Sequence, residues 1–260
     1  MKQTKKKKQS LEKILRIFLF CVFLFSIFYL LFLMMISPET VDDPRFISGE
    51  FIHIRSDYFL AFAQSILGII VMFIPDVFER SFKVDVPSYL VILYLVFLYG
   101  AIFLGEVRFF YYKIPYWDTI LHCLSAAMLG LLGFSLVFFL NSNDNIPMQL
   151  SPGFICMFAF AFALSIGVLW EVYEYVFDGL WGMNMQKFML EDGTKLIGHE
   201  ALKDTMDDLI VDSIGAGSVC LLNYFILKFD VSFMKTFEFR KFLSNEEQEK
   251  QINKNNESIH

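Results

Sequence analysis

Apolar residues gather along this chain into long runs separated by short polar breaks. Six of the runs are about 20 residues long, enough for a helix rising about 1.5 Å per residue to cross a hydrocarbon core of about 30 Å. They lie at residues 14–36, 58–74, 89–104, 119–140, 154–177 and 209–229. Pro75, Pro87, Pro115, Pro147 and Pro152 fall in or beside the connections, where a helix must stop or turn. The second and third runs are the shortest and are expected to extend into their aromatic flanks. The pattern predicts an all-α fold, a polytopic transmembrane helix bundle of about six spans. A basic cytoplasmic segment is expected at residues 1–13, a six-span membrane domain at 14–229 and a cytoplasmic tail at 230–260. The polar end of that tail, from Ser244, has no apolar periodicity and reads as disordered.

Composition agrees with the pattern. Of 260 residues 56% are apolar, and a mean hydropathy of +0.51 is too oily for a soluble chain of this size. The segments between the runs are too short for a soluble catalytic domain or a nucleotide-binding cassette, so any chemistry belongs inside the bundle or at its rim. Membrane lipids are the expected surroundings and no nucleic-acid partner is expected. The first run follows Lys5, Lys6, Lys7 and Lys8 but exceeds a signal-peptide core of about 7–15 residues. Ser37-Pro38-Glu39 offers no small-residue cleavage site, so this run reads as a retained anchor. Cys21, Cys123, Cys156 and Cys220 all fall inside apolar runs and behave as small hydrophobes, not as a disulfide framework.

The net charge of −6 averages a basic N-terminus with an acidic middle. With the N-terminus placed in the cytoplasm, fifteen Lys and Arg residues lie on that side and seven lie opposite, a bias that puts both termini inside. The acids then collect at helix ends on the outer side. Glu106 and Arg108 follow the third span, Asp118 and His122 open the fourth, Glu171 and Glu174 close the fifth, and Asp204, Asp207, Asp208 and Asp212 open the sixth. Spacings of three and four residues keep Asp118 with His122, Glu171 with Glu174, and Asp204, Asp208 and Asp212 each on one helix face. Small residues continue those faces deeper: Ala126, Gly130 and Gly133, then Ala163 and Gly167, then Gly215 and Ala216. The ionisable faces are therefore expected to converge inside the bundle.

Plainer readings stand beside this one. Asp204 and Asp118 both have the position of helix N-caps, and His199 beside Glu200 reads as surface. Capping does not account for Asp212, two turns further in. Glu171 and Glu174 stand near a helix C-terminus, where the macrodipole disfavours negative charge unless the helix continues past Asp178. Eight acids beside Arg108 and one histidine cannot all be ionised without a cation or raised proton affinities. The catalytic candidates are Asp118, His122, Glu171 and Glu174, and the candidate metal ligands are His122, Glu171, Glu174, Asp208 and Asp212. No residue reads as binding an organic cofactor. A divalent metal such as Zn, Mn or Mg is the candidate cofactor, its identity left open by one histidine among carboxylates.

Three blocks carry a family resemblance: Tyr116-Trp117-Asp118-Thr119-Ile120-Leu121-His122, then Trp170-Glu171-Val172-Tyr173-Glu174, then Asp204-Thr205-Met206-Asp207-Asp208 running on to Asp212-Ser213-Ile214-Gly215-Ala216. In this order they resemble the YjdF-like family of bacterial integral membrane proteins and, more distantly, the VanZ-like proteins, over the last four spans. The resemblance implies a small polytopic inner-membrane protein and brings no reaction with it. Three function classes are compatible with the residues. The first is metal-assisted chemistry at the outer rim on a lipid or cell-envelope substrate. The second is binding and passage of a cation or cationic solute, and the third is an accessory role in which the acids hold a partner subunit. Neither a substrate nor an oligomeric state is read from the residues.

Overall fold

A computed structural model describes residues 2–39, 53–82, 84–141, 150–190, 193–229 and 240–241. Helix α1 spans Lys2–Ile36, α2 Arg55–Val71 and α3 Ile74–Phe82. Helix α4, Ser88–Leu98, continues without a break as a π-helix over Tyr99–Val107. The short α5, Phe110–Lys113, leads to α6, Trp117–Asn141, and then α7, Pro152–Trp181. A 3-10 turn at Glu200–Leu202 opens α8, Lys203–Phe229. The described strands are a two-residue antiparallel pair, Val84–Asp85 with Arg240–Lys241, so the chain is all-α. Among the described residues, six helical stretches are long and apolar enough to cross a membrane: Ser10–Ile36, Arg55–Phe82, Ser88–Val107, Trp117–Val137, Pro152–Trp181 and Glu200–Lys228. The expected disorder from Ser244 onward lies outside the described residues, as does the loop holding Asp144 and Pro147.

Three elements differ from the apolar pattern, each for a local reason. The second span is broken, α2 stopping at Val71 and α3 starting at Ile74. Pro75 has no N–H to give the Val71 carbonyl, which instead accepts from the Tyr94 hydroxyl at 2.8 Å, and the Met72 carbonyl accepts from Arg16 at 3.0 Å. Arg16 also pairs with Asp76 at 2.7 Å, so this acid helps close the break. The third span does not end before Glu106, which sits in the π-helix itself. The fifth does not close at Glu174. Ser151 caps α7, its Oγ accepting from Phe154 N at 3.3 Å ahead of Pro152, and the helix ends only at Gly182. With φ of 62° and its N–H on the Asp178 carbonyl, Gly182 adopts the left-handed turn that glycine takes most easily. Glu171 and Glu174 thus belong to the helix interior, beyond reach of the C-terminal dipole.

The helices pack as two groups. In the N-terminal group α1, α2 and α4 meet through large apolar side chains, with Leu19, Phe23, Met72, Leu95 and Ile102 at the centre. In the C-terminal group α6, α7 and α8 meet through small ones: Ala126, Ala163 and Ala216 form one cluster, and Gly133 abuts Ala159. A Cβ at Gly215 would stand 2.6 Å from the Cys123 carbonyl oxygen, so α6 and α8 touch backbone to backbone. Helix α6 joins the groups, its Leu131, Leu132 and Leu136 packing on the N-terminal core.

Candidate functional site

Helices α6 and α8 enter from the same membrane face and run in the same direction. The close approach at Gly215 determines what happens one turn nearer the surface, where His122 on α6 stands between Asp208 and Asp212 on α8. His122 Nδ1 lies 3.3 Å from Asp212 Oδ1, while Nε2 lies 3.8 Å from Asp208 Oδ2 and 3.7 Å from Asp118 Oδ1. His122, Asp208 and Asp212 are each less than a tenth exposed. Nδ1 is thus the nitrogen paired with Asp212, and Nε2 faces the two other carboxylates. Gly167 on α7 makes room for this arrangement, because a Cβ there would collide with the Asp212 carboxylate.

Asp118, His122 and Asp208 each present one donor atom, all within 4.8 Å of one another. Two ligands on one ion with bonds of about 2.0–2.2 Å stand roughly 3–3.5 Å apart, so a small inward movement of side chains would complete a coordination shell. One nitrogen and two oxygens, with further positions open, suit a borderline or hard divalent cation. Asp212 stands outside this group, on the opposite ring nitrogen, where it orients the imidazole. Glu171 and Glu174 also stand outside it. Glu174 accepts from Trp170 Nε1 at 2.9 Å, whereas the buried Glu171 carboxylate stands beside Thr205 and Gln186.

The charge excess read from the sequence has one internal answer, and it comes from the loop after α7. Asp178 accepts from the backbone N–H groups of Met185 at 2.8 Å and Gln186 at 3.0 Å, turning the chain back over the helix end. Asn184 braces the turn through Met189, and Gln186 donates to Thr205 on α8 at 2.8 Å. Lys187 is thereby carried into the cluster, its backbone in the left-handed region at φ 46°, with Nζ bridging Asp118 and Asp204. Burial alone would lower the proton affinity of Lys187, but the Asp118 and Asp204 carboxylates outweigh it and raise the ammonium well above its ordinary range. The same contacts overturn capping as the role of Asp204, because its Oδ1 accepts from Lys187 and its Oδ2 is buried without a partner. Asp118 likewise pairs with Lys187. His199 lies exposed in the loop between α7 and α8.

A cavity of about 360 Å³ opens beside the cluster, between the two helix groups. His122, Asp118, Asp212, Glu106, Glu174 and Lys187 line its polar end, and Leu67, Val71, Phe97 and Leu129 line the rest. Glu106 enters this wall from the π-helix, a rare backbone form that recurs at functional sites. Tyr111 packs over Gly105 at the same end; burial first, then Glu106, Asp118, Glu174 and Asp208, hold its hydroxyl proton well above the ordinary tyrosine range. Neither Glu106 nor Tyr111 nor Lys187 was among the candidates read from the sequence.

A family model described as "Predicted membrane protein (DUF2238)" matches residues 15–229. An uncharacterized protein of Thermotoga maritima is 29% identical over 154 residues, 58% of this chain and 70% of that protein. No solved structure matches the chain.

Proposed function

We propose, for a chain that belongs to the DUF2238 family of predicted membrane proteins over residues 15–229, that it is a membrane enzyme holding a divalent cation at Asp118, His122 and Asp208. The cation would serve chemistry on the polar group of a lipid or cell-envelope substrate. The observation that carries this reading is the division of labour on one imidazole, with Nδ1 on Asp212 and Nε2 between two carboxylates. That is the arrangement in which a carboxylate fixes a metal-binding histidine.

A bound divalent cation would supply Lewis acidity toward a phosphoryl or carbonyl oxygen. The chain's own groups do the rest. Glu174 faces the cavity and is placed to take a proton as general base, with Trp170 holding its other contact. Lys187 ties Asp118 to Asp204 and keeps the acidic mouth from repelling itself apart. Orientation follows the basic residues, fifteen against seven, with both termini cytoplasmic and the site facing outward in the cell membrane. A conducting role is less favoured, because the cavity wall toward the other face is apolar at Leu67, Val71 and Phe97.

Elemental analysis of protein purified without chelators tests the reading. About one divalent cation per chain is expected, falling to background in His122→Ala and in Asp208→Ala. A wild-type protein that carries none after incubation with Zn, Mn or Mg would refute it.

A further inference from the structure

The two ends of the cavity differ in chemistry, and that difference identifies its occupant. The polar end presents the candidate cation ligands and Lys187. From there the walls turn apolar along helices that run across the membrane: His122 to Leu129 on α6 and Gln64 to Val71 on α2 each rise about 10 Å along the helix. A soluble envelope substrate would fill the polar end and leave the apolar depth to water. A purely apolar molecule would leave the carboxylates unmet. An amphiphile satisfies both ends at once.

The walls also suggest the way in. Helix α7 packs on α6 and α8, and α2 packs on α1 and the π-helix, but α2 and α7 face one another across the cavity without extensive packing between them. Trp170 on α7 lines the cavity and is 40% exposed on the bundle surface, so this seam separates the cavity from the bilayer by a single layer of side chains. We infer that the substrate is a membrane lipid that enters sideways between α2 and α7, lays one hydrocarbon chain along Leu67, Phe97, Ala101 and Leu129, and presents its polar group to Asp118, His122 and Asp208. This rests on the proposed reading of the site and makes it specific to a lipid.

The full chain, reconstituted in vesicles of phosphatidylethanolamine and phosphatidylglycerol with a trace of phospholipid bearing a photoactivatable group in mid-chain, tests the inference. After irradiation, adducts are mapped by mass spectrometry and bound metal is measured on the same sample. Adducts are expected on the cavity side at Phe97 and Leu129 as well as on the outward-facing Val96 and Ile120, which are half exposed and meet bulk lipid. Ala101→Phe, which narrows the apolar depth without touching the ligands, should reduce the cavity-side adducts at least fivefold and leave the outward adducts and the metal content unchanged. Leu129→Trp serves the same purpose if Ala101→Phe fails to fold. Metal present with no cavity-side adducts, or adducts insensitive to both variants, overturns the lipid inference and leaves the metal site standing. Cavity-side adducts that respond to the variants in a protein without metal sustain lipid binding and refute the metal instead.

Discussion

The two helix groups solve the same packing problem with opposite residues. Around Phe23, Leu95 and Met72 the N-terminal group fills space with bulk, Phe23 of α1 seated against Gly68 of α2. Around Ala126, Ala163, Ala216 and Gly215 the C-terminal group removes bulk until backbones touch. In lipid there is little hydrophobic gain from burying leucine against leucine, so the close approach of small residues gives the tighter join. The consequence is chemical. Among the described residues, the group of three side chains able to share one cation lies in the small-residue group, where His122 meets Asp118 and Asp208 beside Asp212. Bulk seals the first group, and its main polar offering to the cavity's acidic end is Glu106.

The contrast predicts that stability and metal binding separate between the groups. Gly215→Leu drives a side chain into the Cys123 backbone and is expected to cost about 1–3 kcal/mol or more while abolishing bound metal, because α6 and α8 must part. Phe23→Ala is expected to cost roughly 2 kcal/mol, below the soluble-core range because the transfer component is small in lipid, and to keep its metal. Thermal unfolding in detergent together with metal content per chain reads both. Equal loss of metal in the two variants would show that the groups are not separable.

A smaller effect sharpens the division of labour on His122. Asp212→Asn keeps the shape but removes the charge that fixes the imidazole, so metal affinity should fall about 10- to 100-fold with little change in unfolding temperature. Isothermal titration with Zn or Mn measures it, and an unchanged affinity would deny Asp212 an orienting role.

The smallest effect concerns Lys187. Its proton affinity is raised in the folded chain, so its contribution to stability is fully present below the ordinary lysine value of 10.5 and is lost as pH climbs through the higher folded value. Unfolding followed between about pH 8 and 11 should therefore show the wild type weakening toward the alkaline end. Lys187→Met should start lower and lack that part of the slope; parallel profiles would place the bridge to Asp118 and Asp204 outside the stability of the fold.

Much of this was legible in the chain. Runs of about 20 apolar residues announce spans because lipid leaves a crossing helix no other way to satisfy its backbone. Asp118 with His122, and Asp208 with Asp212, were readable because helical periodicity puts them on one face. Helix ends were less legible. The apolar pattern stops at Leu104 and Phe177, but a helix stops where its hydrogen bonds do, at Arg108 and Gly182. Lys187 was the hardest to see. It is the only Lys or Arg between Lys113 and Lys195, in a stretch rich in acids, and that isolation was its one signal. What takes it into the site is a loop turned by Asp178, a contact between residues whose pairing no periodicity encodes.

The central claim is that one cation is held by one imidazole nitrogen and by carboxylates from α6 and α8. X-ray absorption on zinc-loaded protein tests it most directly. The account predicts a nitrogen and oxygen shell at about 2.0–2.2 Å, with the scattering signature of a single imidazole that disappears in His122→Ala and no sulfur shell near 2.3 Å. A spectrum without imidazole, or one unchanged by removing His122, would contradict it.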